Sequence, residues 1–178
     1  MVTRTSRIDD IEVKQGRSGT LCFVTIIHEY LCGGALAVRE WQDVVYREAP
    51  TGSTAAEAAD PAPTGTTSRQ VTPDATMLFR YSAITFNGHR IHYDAPYAHE
   101  VEGYGGLVVH GPLQATLMAH MAAEIHGREP TRFSFRGRSP IFDDSPFMLH
   151  ATEDDDGISL WTAREGGPVA MQAKAGWT

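Results

Sequence analysis

The sequence has little cysteine, no long apolar run and no metal-binding spacing. Its two cysteines, Cys22 and Cys32, lie outside any Cys-x-x-Cys pair, which argues against a zinc site. No stretch approaches the roughly 18 apolar residues of a membrane-spanning helix, and the N-terminal residues lead into no apolar signal segment. We therefore expect a cytoplasmic protein with reduced thiols, although the positions of the two cysteines are also compatible with a disulfide across a hairpin.

The sequence also lacks a basic patch. Fifteen Lys and Arg against 22 Asp and Glu give a net charge of −7, and the basic residues are scattered along the 178-residue chain. Proteins that bind nucleic acids concentrate positive charge on one face or helix. A glycine-rich phosphate loop and a Gly-x-Ser-x-Gly nucleophile motif are missing too. We expect no nucleic-acid or membrane partner, no metal and no redox cofactor.

The first 48 residues have the pattern of a small β-sheet. Predicted strands, rich in β-branched and aromatic residues, cover 7–14, 20–30 and 35–47. The segments Gly16-Arg17-Ser18-Gly19 and Gly33-Gly34 supply the turns between them. This antiparallel meander contains no helix, so one of its faces needs a partner.

Residues 49–74 differ in composition from both flanking regions. Ala, Pro, Gly, Ser and Thr dominate there, without apolar periodicity, which predicts a flexible linker. The predicted organisation is therefore a β meander at 1–48, a linker at 49–74 and a second domain at 75–178.

The second domain contains the best predicted helix of the chain, at 111–126. Pro112 suits its first turn, apolar residues recur every fourth position, and Gly127 ends it. A strand is predicted at 77–84, followed by an irregular, loop-rich region at 85–109. Further strands are predicted at 131–137, 146–152, 158–164 and 168–176. One long helix with about five antiparallel strands indicates an α+β fold in which a sheet wraps around the helix.

Two features of this domain can carry chemistry. His92 lies in a loop, and a neutral imidazole can take a proton from water at cellular pH. His110 and Gly111 precede the helix, where a missing side chain lets a ligand approach the free N–H groups of the first turn. Each feature also has a purely structural explanation. His92 can be a structural histidine that bonds a backbone carbonyl, and Gly111 can serve a tight turn into the helix. Together they suit the addition of water next to a carbonyl.

Three neighbours of His92 are further candidates. The amide of Asn87 can hold a water or a carbonyl oxygen, but the residue is equally compatible with a turn beside Gly88. His89 and Arg90 flank the proposed base, and Arg90 can meet a phosphate or carboxylate of a ligand. As a surface arginine it needs no such role.

The run from Phe79 to Asp94, the Glu102-Gly-Tyr element and the run from Val108 to Leu113 resemble the MaoC-like hydratases and dehydratases, which have the hot-dog fold. The most similar subgroup comprises the mesaconyl-C4-CoA and itaconyl-CoA hydratases and the type 2 3-hydroxyacyl-thioester dehydratases. The resemblance implies an acyl-CoA or carrier-protein thioester as substrate, His92 as base and the Gly111 N–H at the thioester oxygen. It also implies that residues 5–48 are the last strands of a first hot dog.

The sequence departs from this family in two respects. The family's loop has the pattern Asp-x-Asn-Pro-Ile/Leu-His, and Asn87, His89 and Arg90 stand where it has Asp, Asn and Pro. Because an amide cannot act as a base, His92 would activate water largely alone. The first half of a usual double hot dog is also missing, so we expect a homodimer or higher oligomer, or a second hot-dog subunit. A thioesterase and a non-catalytic acyl-thioester-binding subunit are the alternatives, and the acyl chain and the direction of reaction stay open.

Overall fold

The computed structural model describes residues 1–16, 19–47 and 60–178. The chain divides into two compact units, residues 1–56 and 57–178. The centre of the predicted turn at 16–19 and residues 49–59 of the predicted linker lie outside the described residues. Among the helices of the described ranges, none is both long enough and apolar enough to cross a membrane.

The first unit is a three-stranded antiparallel sheet with the order β1-β2-β3. Its strands are β1 (Val2–Gly16), β2 (Gly19–Cys32) and β3 (Ala35–Arg47). The three predicted strands are confirmed, and the first two are longer than the sequence indicates. Gly33 and Gly34 form the turn between β2 and β3 with φ of 58° and 86°, a backbone region that glycine enters without steric cost.

A β-bulge gathers apolar side chains on one face of this sheet. Ile8 pairs with Ile26 and Ile11 pairs with Val24, and the register shifts between Ile8 and Asp10. Residues three apart in a regular strand point to opposite faces, but the extra residue of the bulge brings Ile8 and Ile11 to the same one. Both side chains stay largely exposed, at 62% and 58%.

The second unit is a five-stranded sheet with the order β4-β6-β7-β8-β5, in which all neighbours are antiparallel. Its strands are β4 (Thr67–Val71), β5 (Arg132–Gly137), β6 (Phe147–Asp154), β7 (Gly157–Arg164) and β8 (Val169–Gly176). The sheet packs against a long helix, Gly111–His126, labelled α3 below. The predicted helix at 111–126, the four predicted strands after it and the α+β class are confirmed.

The core lies between α3 and the sheet. Met118, Met121 and Ala122 on the helix are at most 1% exposed, as are Leu149 and Leu160 on the strands. The helix fits its position because its apolar residues recur every three or four positions. Its N-terminus is thereby held at a fixed place at one end of the core.

The predicted strand at 77–84 is wrong, because these residues belong to helix α1 (Ala75–Thr85). Asp74 caps the helix: its side-chain oxygen accepts the N–H of Met77 at 2.6 Å. Leu78 and Ser82, one turn apart, are buried, whereas Phe79 is 60% exposed. The buried positions thus follow a helical period, which the local richness in aromatic and β-branched residues obscured.

The predicted linker is also wrong in part, because β4 (Thr67–Val71) lies within it. This strand pairs with β6 at the edge of the sheet, and four of its five residues are exposed. A strand that buries so little lacks the alternation of apolar and polar residues by which strands are predicted. The predicted loop region at 85–109 holds a 3₁₀ turn, Arg90–His92, and a short helix, α2 (Ala95–Glu100).

Gly157 at the start of β7 should tolerate substitution much less well than Gly166. A Cβ at Gly157 would lie 2.2 Å from the Ala175 carbonyl oxygen, whereas a Cβ at Gly166 meets open space; both residues have positive φ, 133° and 67°. We expect Gly166→Ala to lose about 1–2 kcal/mol of unfolding free energy and Gly157→Ala about 1–3 kcal/mol more. Urea denaturation measures both, and equal losses would contradict the described packing of β7 on β8.

Candidate active site

His92 lies at the end of the 3₁₀ turn with its ring almost entirely buried. Its Nδ1 is 2.7 Å from the carbonyl oxygen of Val108. A carbonyl only accepts hydrogen bonds, so Nδ1–H donates, and the neutral ring keeps a lone pair on Nε2. Burial lowers the pKa of His92 below its ordinary value, and the nearby His89 lowers it further, against the opposing effect of the Val108 carbonyl. The ring is therefore a neutral base with a defined tautomer.

The segment that supplies this carbonyl is held from both sides. Val108 N–H donates to the Ile91 carbonyl at 2.9 Å, and Val109 N–H donates to the Ile141 carbonyl at 2.8 Å. The side chain of Asp143 accepts the N–H of Leu107 at 2.9 Å. The residues before α3 thus form an extended bridge between the His92 turn and the loop before β6.

His110 lies directly on His92. The two rings stack with centroids 3.7 Å apart and an interplanar angle of 18°. His110 is 0% exposed, and its Nε2 is 2.9 Å from Ser82 Oγ on α1. Burial, with a smaller effect from His92, lowers the pKa of His110 to about 4, so this ring is also neutral at cellular pH.

Gly111 is the first residue of α3 and is half-buried. The N–H groups of the first helical turn have no acceptor within the helix and carry the positive end of its dipole. A Cβ at Gly111 would come within 3.2 Å of Cε of the buried Met171, so a side chain here would crowd the core at the start of α3. The side chain of His110 is enclosed, which leaves the backbone at Gly111 as the group that can meet a ligand oxygen.

A buried polar pair, Thr162 and Gln114, joins α3 to the sheet. Thr162 Oγ1 on β7 donates to Gln114 Oε1 at 2.7 Å, and Gln114 Nε2 lies 3.4 Å from the Val109 carbonyl. Thr162 and Gln114 are 0% and 3% exposed. Buried polar groups that satisfy each other specify one arrangement of the elements they join, here the first turn of α3 against the sheet.

The other predicted site residues lie on the same loop with different partners. Asn87 Oδ1 accepts a hydrogen bond from the N–H of His89 at 3.0 Å. This is the hydrogen bond of a turn, the structural role expected from the sequence as the alternative to binding water. The ring of His89 meets that of His92 edge-on at 5.6 Å. Arg90 pairs with Asp94 at 2.7 Å, and its guanidinium lies 4.1 Å from the centroid of the Tyr97 ring. The structure therefore brings His89, His92 and His110 together and directs Arg90 towards Asp94 and Tyr97.

A surface cavity of about 500 Å³ lies away from these groups. It is lined by Arg136, Trp161, Gln172 and Lys174, which share the face of the sheet turned away from α3. A neutral imidazole such as that of His92 is suited to acid–base catalysis, so we place the candidate active site at the histidines.

The family of the chain follows from comparison with known proteins. The model of the hydroxyacyl-thioester dehydratase type 2 family matches residues 1–143. The chain belongs to this family. Mesaconyl-C(4)-CoA hydratase of Chloroflexus aurantiacus is 45% identical over 172 residues, which are 96% of this chain and 61% of that protein. The mitochondrial hydroxyacyl-thioester dehydratase type 2 of Schizosaccharomyces pombe is 38% identical over 96 residues, which are 52% of this chain and 31% of that protein.

Solved structures agree on the fold. HtdX of Mycobacterium tuberculosis has a TM-score of 0.74 at 20% identity, over 99% of this chain and 69% of that one. A MaoC-like dehydratase of Phytophthora capsici has a TM-score of 0.71 at 14% identity, over 99% and 65%. These likenesses confirm the hot-dog fold. The chain spans less than two thirds of the length of the two curated relatives it matches.

The sequence prediction missed Ser82 and Val108. The carbonyl of Val108 is a backbone group, which no residue pattern reveals. Ser82 was missed because its segment was predicted to be a strand. The signal in the sequence that could identify α1 is Asp74, a typical helix N-cap residue, and the burial of Leu78 and Ser82 then shows which face of the helix is the inner one.

The buried His110 should make stability fall in mild acid. An unfolded histidine takes up a proton below about pH 6.5, whereas His110 stays neutral down to about pH 4. The unfolded state therefore binds more protons over that range, and the free energy of unfolding decreases as the pH falls through it. Urea denaturation at a series of pH values should show this slope, and His110→Gln should reduce it; His92 and His150, whose pKa values burial also lowers, contribute to the remainder.

His120→Gln, at an exposed position on the same helix, is the matched control and should keep the wild-type slope. An undiminished slope in His110→Gln would show that His110 is protonated in the native protein.

Proposed function

We propose that this protein is a hydratase/dehydratase that interconverts an enoyl thioester and water with a 3-hydroxyacyl thioester. The main support for this proposal is the hydrogen bond from His92 to the Val108 carbonyl. It leaves the lone pair on Nε2 of the neutral ring free to act as a base beside the start of α3. Membership of the hydroxyacyl-thioester dehydratase type 2 family supports the same reaction class. The reaction requires no metal and no redox cofactor, because water and a proton are the only groups exchanged.

In the proposed hydration, His92 acts first as base and then as acid. Nε2 takes a proton from water while the water oxygen bonds to C3 of the enoyl thioester. The electron pair of the C2–C3 double bond moves towards the thioester carbonyl, and an enolate-like charge develops on its oxygen. The imidazolium then returns its proton to C2, which restores the neutral ring. Dehydration is the reverse sequence.

The start of α3 is the proposed site for the developing charge. The N–H of Gly111 lies at the N-terminus of this 16-residue helix, where the positive end of the helix dipole favours a negative charge. Donors fixed in advance stabilise a transition-state charge more than the neutral ground state. The bridge of residues 107–109 ties this helix start to the His92 turn, so the base and the N–H donor belong to one rigid arrangement.

The proposed substrate is a CoA thioester of the mesaconyl-C4 type. The support is the 45% identity to mesaconyl-C(4)-CoA hydratase of Chloroflexus aurantiacus over nearly the whole of this chain. Asn87 is assigned to the water: its Oδ1 is held by the His89 N–H, so its amide N–H₂ would donate. His89 and Arg90 are proposed to contact the ligand. Arg90 would have to give up its salt bridge with Asp94 to do so.

His92→Ala should lower kcat/KM by about 10²–10⁴-fold, the usual contribution of one positioned general base. Asn87→Ala should cost about tenfold or less, because it removes only a neutral hydrogen bond. Asn87→Asp should raise activity if the carboxylate of the family's loop is the better water-binding group. The measurement is loss of the enoyl absorbance with crotonyl-, mesaconyl-C4- and itaconyl-CoA, with circular dichroism to confirm folding.

The same assay separates the alternatives. Release of free CoA without loss of the double bond would identify a thioesterase. Binding without either reaction would identify an acyl-thioester-binding subunit. Near-full activity of His92→Ala would remove this residue from the mechanism.

We further propose that the protein works as a dimer or higher oligomer, with itself or with a second hot-dog subunit. Ile8, Ile11 and Val13 on β1 and Tyr46 on β3 share one face of the first sheet and are 58–63% exposed. A two-layer architecture requires such a face to be covered. In addition, β4 and β5 are the outer strands of the second sheet, and unpaired edges favour association.

Ile11→Lys should lower the mass measured by light scattering, because it places a charge on the apolar face. Glu12→Lys introduces the same side chain on the opposite face of the same strand and is the matched control. A wild-type protein that is monomeric and active at all concentrations would contradict the proposed assembly.

A further inference from the structure

The geometry points to Ser82 and His110 as a positioning pair for His92: Ser82 fixes the ring of His110, and this ring fixes the plane of the catalytic imidazole. The inference rests on the proposed hydratase function and deepens it, since it assigns residues that act through the base. Neither side chain is assigned a contact with the substrate, because the Ser82 hydroxyl and Nε2 of His110 bond to each other inside the protein.

One hydrogen bond cannot fix the direction of the base. The imidazole turns about its Cα–Cβ and Cβ–Cγ bonds, and the bond from Nδ1–H of His92 to the Val108 carbonyl restrains it at one atom only, so coupled rotations about these two bonds can still tilt the ring. Rotation would swing Nε2 away from a bound water, although proton transfer requires heavy atoms within about 2.6–3.2 Å. A second contact must therefore define the plane of the ring.

The ring of His110 provides this contact. It lies parallel to His92 within 18°, at a centroid distance of 3.7 Å, so a rotating His92 ring would collide with it. The ring of His89, edge-on to His92 at 5.6 Å, belongs to an exposed residue and can move more freely. Stacking by a buried ring is the stronger restraint, because close-packed interiors allow little movement.

The ring of His110 itself depends on Ser82. Of its two nitrogens, only Nε2 has a partner among the described residues, Ser82 Oγ at 2.9 Å, while Nδ1 is buried without one. The ring of Tyr81 contacts it edge-on at 4.9 Å. Loss of the Ser82 hydroxyl would thus remove the single hydrogen bond that orients this ring.

Ser82 also connects this pair to the loop that carries the candidate residues. Its backbone carbonyl accepts the N–H of Asn87 at 2.9 Å, just after Phe86 reverses the chain with φ of 54°. Leu78, one turn earlier and 0% exposed, anchors α1 in the core. One residue therefore joins α1, the Asn87 turn and the ring that stacks on His92.

The test compares Ser82→Ala with Leu78→Val. Ser82→Ala removes the hydroxyl, and we expect kcat to fall about two- to tenfold, the range of one neutral hydrogen bond, with KM changed less than about twofold. Leu78→Val loosens the packing of α1 by about one methylene and leaves the Ser82 hydroxyl on His110 in place, so it should keep wild-type kcat. Ser82→Cys, which retains a weak S–H donor, should lie between wild type and Ser82→Ala.

The second readout is the titration of His92, followed by NMR of its imidazole and by the pH profile of kcat/KM. The titratable groups that face this ring are His89 and His110, and Tyr81 faces His110. Burial is the main cause of the lowered pKa of His92. A loosened His110 admits water, so the pKa should rise towards its ordinary value and the acidic limb of the profile should move to higher pH.

The outcomes are decisive in either direction. A fall in kcat with a raised pKa of His92 in Ser82→Ala alone supports the positioning pair. Wild-type behaviour of Ser82→Ala, or the same changes in Leu78→Val, overturns it. If the wild-type protein hydrates no enoyl thioester, the proposed function fails, whereas the NMR titration needs no substrate and still tests the pair.

Discussion

The hydrogen bond from His92 to the carbonyl of Val108 is the contact on which the candidate site depends. It joins the 3₁₀ turn to the segment that enters α3, and it selects the tautomer in which Nε2 is free. The N–H groups of Val108 and Val109 donate to the carbonyls of Ile91 and Ile141, so the backbone on both sides of the Val108 α-carbon is hydrogen-bonded. These hydrogen bonds restrain His92, although it lies in a loop region.

Around this bond the protein buries polar groups in pairs. His110 with Ser82 and Thr162 with Gln114 lie at or beneath the first turn of α3, and each pair links the helix start to a different element. A buried donor or acceptor that loses its hydrogen-bond partner destabilises the folded state. Such pairs therefore tolerate few alternative arrangements of the elements that carry them. The desolvation that keeps both stacked imidazoles neutral is a consequence of the same burial.

The two units meet the demand for burial differently. The second unit encloses α3 with its own sheet, as a hot dog does, and its central side chains are almost fully buried. Among its described residues the first unit contains no helix, and its bulge directs Ile8 and Ile11 to one exposed face. The match of the family model to residues 1–143 spans both units, and the proposal that the first is the end of another hot dog explains why it carries an apolar face.

The sequence by itself determined the elements with strong periodicity. Helix α3 and strands β5 to β8 follow from apolar spacing, capping residues and turn glycines, since these signals are local. His92 and Gly111 were found because imidazole chemistry and a glycine at a helix start have meaning without tertiary contacts, and the family resemblance placed them in one reaction.

The tertiary structure alone decided what depends on distant residues. The strand β4 is exposed over most of its length and exists because β6 pairs with it, and α1 is stabilised by burying Leu78 and Ser82 despite its strand-like composition. The stacking of His110 on His92 and the roles of Ser82 and Val108 join residues that are 16 to 28 positions apart. Local preference cannot encode such contacts, because their energy comes from packing and hydrogen bonds formed only when the chain has folded.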